Sequence, residues 1–585
     1  MKRLLKYLKH YQKESILAPL FKMLEALMDL LVPVIVARII DRGIGQSDTS
    51  YLYSQIWLLV LLAMIGFACS AVAQYFAAKA SVGAATEIRQ SLFDHIQSLS
   101  CGKLDTIGSG TLITRMTSDI NTIQNGLNLA LRLLLRSPFI VFGSMIMAFT
   151  IDVKCALVFA VAIPILLVAV FVIMLVTIPL YRKVQAGLDQ VMGLTRSNLT
   201  GVRVIRAFSR EADSVSEFES KNAALTRLNE AVGRISALLN PITYILINIA
   251  AVILIKTGAV QVNLGLLSQG DVVALYNYMA QMIVELVKLA TLIITINRAL
   301  ACSDRVADVL DEQPGMEYPK TLTKEPTEHG TVSFDHVSFE YPGAGDNSLE
   351  EISFKAERGN VIGIIGGTGS GKSSLISLIP RFYDATKGAV SVDGINVKDY
   401  PKDELIQKIG IVPQKAELFA GTVMDNLKWG NESLSEEQAW AALKTAQAES
   451  FIKEKGQGLN AVIEQGGRNL SGGQKQRLTI ARALVKQPEI LILDDSCSAL
   501  DFATDAALRK ALKETESGTT VFMVSQRTST IMHADKIIVL DDGRVAGIGT
   551  HDELMKTCSV YQEIRWSQVP EEKPNQKLSS LEVSL

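Results

Sequence analysis

At 585 residues the chain exceeds what one hydrophobic core supports, so at least two domains are expected. An apolar fraction of 48% against 20% charged residues is high for a soluble enzyme and suits a chain that is half membrane-embedded and half soluble. A formal net charge of −2 denies nucleic acid the basic field it requires, and six cysteines without C-x-x-C or metal-ligand spacing point to reduced, unpaired thiols rather than a disulfide framework.

The N-terminal RLLKYLKHY, basic with leucines on one side, reads as a helix lying on the inner leaflet. No cleavable signal is expected, because the first apolar run follows a long basic segment and lacks a small-residue cleavage site. Apolar runs of bilayer-crossing length fall at about 16–40, 56–78, 130–150, 155–180, 239–260 and 272–295, and none follows about residue 300. The connections at about 79–129 and 181–238 are long and rich in Lys and Arg, so the positive-inside rule places them in the cytoplasm with the N-terminus; the short connections lie outside. Six spans return the chain to the cytoplasm for its second half. Both inside connections carry helical periodicity, with turns expected near LDTIGSGTLITRM and VIRAFSREADSVSEF.

Ionisable groups inside spans normally face protein or water. Lys22, Glu25 and Asp29 lie close to one face of the first span. Glu25 and Asp29 either attract cationic cargo or, as the favoured reading, join a network with Lys22 or with Arg132 and Arg136 of the third span. Glu285 and Lys288 in the sixth span are spaced to pair with each other. Phe142, Met145, Phe171, Met174, Tyr276, Tyr278 and Met282 are candidates for an adaptable cavity lining, although helix packing or lipid contact is the simpler role for any one of them.

The pattern gives a membrane domain over 1–310, a proline- and charge-rich linker over 311–330, a soluble domain over 331–570 and a polar, disordered tail over 571–585. In the soluble part TVSFDHVSFEY, NVIGIIG, IGIVP, EILILDD, TTVFMVS and KIIVL alternate with helical stretches, which predicts an α/β domain with a largely parallel sheet. GGTGSGKS at 366–373 lies between a strand and a helix and fits G-x-x-x-x-G-K-[ST]. Backbone N–H groups of Gly366, Gly367, Thr368, Gly369, Ser370, Gly371 and the helix start at Ser374 suit phosphate, Lys372 the terminal phosphates and Ser373 Mg²⁺. Asp494, ending the strand LILD, suits the same metal. LSGGQKQR upstream opens a helix with Ser471, Gly472, Gly473 and Gln474, a second anion-binding nest. Two nests in one chain suggest two different nucleotides.

These motifs together, with SALD following the acid strand, resemble the nucleotide-binding domain of ATP-binding cassette (ABC) transporters, and the six spans before them resemble their exporter half-transporters. The resemblance covers nearly the whole chain. It implies a membrane α-helical domain of six transmembrane helices, type IV exporter-like, followed by an α/β P-loop nucleotide-binding domain, with ATP and Mg²⁺ as ligands. It implies that Tyr341 stacks on adenine, that Gln414 joins Ser373 and Asp494 at Mg²⁺ and senses the membrane domain, and that Asp501 lies in a loop crossing to a partner. In this family two domains pair head to tail, each ATP lying between the phosphate loop of one and the Ser471–Gln474 signature of the other, so a second half-transporter chain is needed.

Two positions depart from the family pattern. Asp495 stands where a catalytic glutamate is expected and Gln526 where a switch histidine is expected; His533 lies seven residues further on and out of frame. The shorter acid is withdrawn by about 1 Å from the attacking water, and glutamine cannot become cationic. The combination resembles the degenerate-site subunit of heterodimeric bacterial multidrug exporters, moving small hydrophobic or amphipathic compounds across the inner or plasma membrane. Rival readings are a lipid or peptide exporter, a homodimer with two slow sites, and an ATP-gated channel or regulatory protein.

Overall fold

The computed structural model describes residues 4–322, 324–514 and 518–570, leaving aside the side chains at 4, 5, 170, 174, 239, 240 and 290. The expected tail at 571–585 and the side chain of Met174 lie outside the described residues. The chain divides into one body of Met1–Gln97 with Gly110–Glu312 and another of Ser98–Ser109 with Gln313–Leu585.

The first body is helical. After a 3-10 stretch at Leu4–Tyr11 come α1 (Gln12–Arg38) and α2 (Thr49–Ser98); α3 (Cys101–Ile107) belongs to the second body. The rest are α4 (Ser109–Thr114), α5 (Ile120–Leu133), α6 (Arg136–Ile151), α7 (Val153–Thr200), α8 (Val202–Ala207), α9 (Glu211–Ala237), α10 (Leu239–Asn263) and α11 (Gln269–Asp311). Among the described residues five helical runs are long and apolar enough to cross a bilayer: Thr49–Ser98, Ser109–Ile151, Val153–Thr200, Glu211–Asn263 and Gln269–Asp311. With 27 residues α1 is also long enough, but it carries Lys22, Glu25 and Asp29 in its middle. At 50 residues α2 extends about 75 Å, more than twice the hydrocarbon thickness, so it continues beyond the membrane as its sequence predicts.

Local chemistry explains the breaks. Pro138 in the first turn of α6 has no N–H to donate to Leu134, and the chain turns between α5 and α6 there. A capping box, Ser268 with Asp271, starts α11. The core of this body forms where α1, α6, α7, α10 and α11 meet. Tyr278 and Met282 are buried in it, with the Tyr278 hydroxyl donating to the Leu30 carbonyl at 2.6 Å, so these two side chains pack helices together.

The second body contains β1 (Val332–Phe339), β2 (Leu349–Ala356), β3 (Val361–Gly366), β4 (Lys387–Val392), β5 (Ile395–Asn396), β6 (Ile409–Val412), β7 (Gly421–Thr422), β8 (Val462–Ile463), β9 (Ile490–Asp494), β10 (Thr520–Val524), β11 (Lys536–Asp541) and β12 (Arg544–Gly549). One sheet runs in the order β12-β11-β3-β10-β9-β6 and is parallel except for the β11–β12 hairpin. A second, antiparallel sheet runs β2-β1-β4-β5. The predicted parallel sheet is present; the antiparallel one has no counterpart in the sequence reading. Strand periodicity sorts the core: Leu491 and Leu493 of β9 join one cluster, and Ile490 and Ile492 join the other.

Residues 98–109, which the sequence reading assigned to the membrane half, group with the nucleotide body. There the Tyr383 phenol donates to Asp105 at 2.5 Å and the Ser100 N–H donates to the Pro314 carbonyl at 2.7 Å. Burial pushes the Tyr383 hydroxyl well above its usual range, and Asp105 adds to the effect. The tip helix α3 begins a few residues before the expected turn.

Candidate functional site

The parallel strands deliver the site residues to one edge. In such sheets ligands bind beyond the carboxyl ends of the strands. Val412 of β6 pairs with Leu493 of β9, and Val524 of β10 pairs with Asp494 of β9 and with Ile364 of β3. Gln414 and Gln526, each two residues past its strand, therefore flank the acids that end β9, and the phosphate loop leaves β3 beside them.

The phosphate loop is shaped by its glycines. Gly369 and Gly371 have φ of +85° and +91°, and a Cβ on Gly371 would lie 2.6 Å from the Ser348 carbonyl, so only glycine fits that position without strain. Gly367, Thr368 and Gly369 are exposed, and nothing lies within 4 Å of a Cβ built on Gly367 or Gly369, which leaves their backbone open to a ligand. The Lys372 ammonium bonds the carbonyls of Gly366 at 3.0 Å and Gly367 at 2.5 Å and the Ser370 hydroxyl at 3.4 Å. Burial lowers its pKa, and the nearby charges of Asp495 and Asp494 oppose that shift. Ser374 is buried beneath the loop, and its hydroxyl meets the Tyr341 phenol at 3.1 Å. The Tyr341 ring packs edge-on against Phe339 and Tyr383.

At the acid pair, Ser373 donates to Asp494 Oδ1 at 3.2 Å. Gln414 Nε2 donates to Asp495 Oδ2 at 3.4 Å. Burial raises the carboxyl pKa of both aspartates, opposed at Asp494 first by the Ser373 bond and at Asp495 first by the Gln414 amide. Among the described residues neither acid forms an ion pair. Asp495 adopts a left-handed backbone, φ +45°, which aspartate tolerates better than most residues, and its N–H donates to the Val524 carbonyl at 3.1 Å. Hydroxyl, carboxylate and amide oxygens gathered here form the hard-oxygen donor set that Mg²⁺ prefers, so Ser373, Asp494 and Gln414 fit that ion.

The signature residues build a separate surface. Ser471 caps the helix Gly472–Leu484: its hydroxyl accepts from the Gln474 N–H at 3.3 Å, and Gln474 Oε1 accepts from the Ser471 N–H at 2.9 Å. Ser471 and Gly472 are exposed, and a Cβ on Gly473 would sit 3.1 Å from the Ala499 carbonyl. Asp501 is exposed and accepts from the Thr504 N–H at 2.8 Å and hydroxyl at 2.9 Å, bonds that hold its carboxyl below the usual range. The structure thus gives Asp501 a local capping role that its motif does not reveal.

Gln526 is exposed, as is His533. The backbone of Gln526 is held from outside the motif: Gln568, ending the helix Ser559–Gln568, donates Nε2 to the Gln526 carbonyl at 2.6 Å and accepts from the Thr528 N–H at 2.8 Å and hydroxyl at 2.9 Å. No local pattern marks Gln568, and sequence reasoning misses it.

Comparison with known proteins places both halves. Residues 15–286 match the model for the ABC transporter transmembrane region, and residues 349–498 match the ABC transporter model. An uncharacterized ABC transporter ATP-binding protein of Mycobacterium tuberculosis is 35% identical, over 96% of this chain and 97% of that protein. YgaD of Bacillus subtilis, provisionally named a multidrug export ATP-binding/permease protein, is 32% identical over 96% of this chain and 98% of that protein. The structure of a bacterial Atm1-family ABC exporter with ATP bound matches with a TM-score of 0.80 over 95% of this chain and 99% of that one, at 24% identity, and establishes the shared fold. The chain belongs to the ABC transporter family, with the membrane domain and the ATP-hydrolysing domain fused in one polypeptide.

Proposed function

We propose that this chain is one subunit of a heterodimeric exporter of hydrophobic or amphipathic compounds, and that its own ATP site hydrolyses slowly while its signature completes a competent site on the partner. The observation that carries the reading is the pair Asp495 and Gln526 at one sheet edge, past the adjacent strands β9 and β10, beside an intact phosphate loop and an intact signature whose Ser471 and Gly472 are exposed. The name of YgaD supports the cargo class.

Lys372 and the loop N–H groups bind the phosphates, Tyr341 offers its ring to adenine, and Ser373, Asp494 and Gln414 hold Mg²⁺. The ion supplies charge neutralisation at the phosphates. Asp495 is the acid that would orient water, and its reach is one methylene shorter than that of glutamate. A misplacement of about 1 Å costs on the order of a hundredfold in rate. Gln526 still donates a hydrogen bond to a γ-phosphate but brings no positive charge. ATP binding draws two such domains together, and the helical tips carry that closure to the spans, which alternate between inward-open and outward-open states.

The test compares ATP turnover in liposomes of this chain alone and with the product of an adjacent gene. Turnover that appears only in the pair supports the reading. Fast turnover by this chain alone overturns it, equal slow turnover by a self-pair favours the homodimer, and ATP-dependent ion current without solute accumulation favours a channel.

A further inference from the structure

Between α1, α6 and α11 lies a cavity of about 340 Å³ whose polar wall is formed by Asp29, Arg136, Gln281, Glu285 and Lys288. Arg136 donates to Asp29 at 2.9 Å and to Glu285 at 2.6 Å, and Lys288 donates to Glu285 at 2.9 Å. Behind this chain, Lys22 pairs with Glu25 at 2.5 Å, and Glu25 lies 3.8 Å from Arg136. The set holds three cations, Lys22, Arg136 and Lys288, and three carboxylates, Glu25, Asp29 and Glu285, so it is formally neutral.

A network that only fastens helices would satisfy itself internally. This one does not. Its middle is sealed, with the Glu285 side chain 5% exposed and that of Arg136 12%, but its ends are half-open, Asp29 at 43% and Lys288 at 45%. Two buried polar atoms of the wall have no hydrogen-bond partner among the described residues: Arg136 Nε, a donor, and Gln281 Oε1, an acceptor. An open anion and an open cation thus border one cavity, whose remaining wall is apolar, from Ile140, Ala280 and Val284.

We propose that this cavity binds the head of a zwitterionic amphiphile, its ammonium toward Asp29 and its anionic group toward Lys288, with the apolar body along Ile140 and Val284. A singly charged head would leave one unit of uncompensated charge in a low-dielectric setting, whereas a zwitterion leaves the neutral set neutral. The inference names the cargo of the exporter proposed above and rests on that reading.

Three probes with one fluorescent body test it: Nε-dansyl-lysine, zwitterionic; dansylcadaverine, cationic; and 6-(dansylamino)hexanoic acid, anionic. Binding to the full-length chain in nanodiscs is read by anisotropy against empty nanodiscs. The zwitterion should bind at least tenfold more tightly than either relative, and Asp29→Asn or Lys288→Gln should each remove about tenfold of that preference. Val284→Phe, which fills the cavity without altering an ion pair, should block the zwitterion; it keeps the test sound if a charge variant folds poorly. Tightest binding by the cation, with sensitivity to Asp29→Asn alone, overturns the proposal in favour of a monocation site. Equal binding of all three probes, unchanged by the variants, overturns it in favour of a purely structural network. ATP-driven accumulation in proteoliposomes separates the two readings: a zwitterion bound through the cavity but never accumulated leaves the site standing and removes the exporter, while other dyes accumulated without cavity-dependent binding do the reverse.

Discussion

In the membrane body the Glu285 carboxylate meets Arg136, Lys288 and Ser137, each within 2.9 Å, whereas in the nucleotide body the Asp494 carboxylate meets the Ser373 hydroxyl at 3.2 Å and Asp495 meets the Gln414 amide at 3.4 Å. Both groups of acids are withdrawn from water. The first has cations within hydrogen-bonding distance; the second bonds only neutral donors, with the Lys372 charge nearby but bonded to the loop. The difference separates charge that the protein neutralises itself from charge that has no ion-pair partner among the described residues. Burial raises the carboxyl pKa at Asp494 and Asp495, and the nearby Lys372 charge opposes the shift at both.

The strongest way to break the comparison is to orphan the paired charges. Arg136→Ala strands Asp29 and leaves Glu285 with Lys288 alone, and removing one partner of a buried pair costs about 3–5 kcal/mol, so the membrane body should melt earlier in detergent and yield less folded protein. An unchanged melting curve would show that the network is not structural. In the nucleotide body Lys372→Ala should leave the fold intact and weaken ATP binding by about a hundredfold, measured by nucleotide titration, because loss of a buried charge-assisted contact to phosphate is worth about 2–3 kcal/mol.

The next test addresses the two departures together. Asp495→Glu alone should raise turnover by less than about threefold while Gln526 remains. The double variant Asp495→Glu/Gln526→His should raise it at least about tenfold, part of the loss that a 1 Å misplacement produces. A large gain from the single change would show that Gln526 matters little.

The smallest expected effect is on stability. With its pKa raised on folding, Asp494 favours the folded state while protonated, and that contribution is lost as pH rises through its folded pKa. Asp494→Asn should therefore melt at a higher temperature than the parent at neutral pH without Mg²⁺, and the gap should close on acidification below the ordinary aspartate range. Mg²⁺ with ATP should stabilise the parent and not the variant. A gap independent of pH would exclude the charge as its cause.

Much of this was readable in advance where a feature is local or repeats along one element. The runs VIGIIG, ILILD, TVFMV and KIIVL are buried on both faces and stand out as β3, β9, β10 and β11. In contrast, β2 reads LEEISFKA, with exposed positions alternating with buried ones, and β4 is exposed or half-buried at four of its six positions, so their apolar signal is weak. The antiparallel sheet therefore leaves little trace in the sequence. Favouring an internal network for Lys22, Glu25 and Asp29 agrees with the structure, with Arg136 rather than Arg132 as its cation.

By itself the sequence determined the phosphate loop, the capped signature helix, the acid strand and the order of membrane and soluble halves, because each depends on residues adjacent in the chain or one helical turn apart. The tertiary structure decided the rest. Arg136 reaches Asp29 across 107 positions and Glu285 across 149, and Gln568 holds Gln526 across 42. Such partners depend on the rotation and offset of packed elements, which no local pattern encodes, and they determine which charges are spent on the fold and which remain for a ligand.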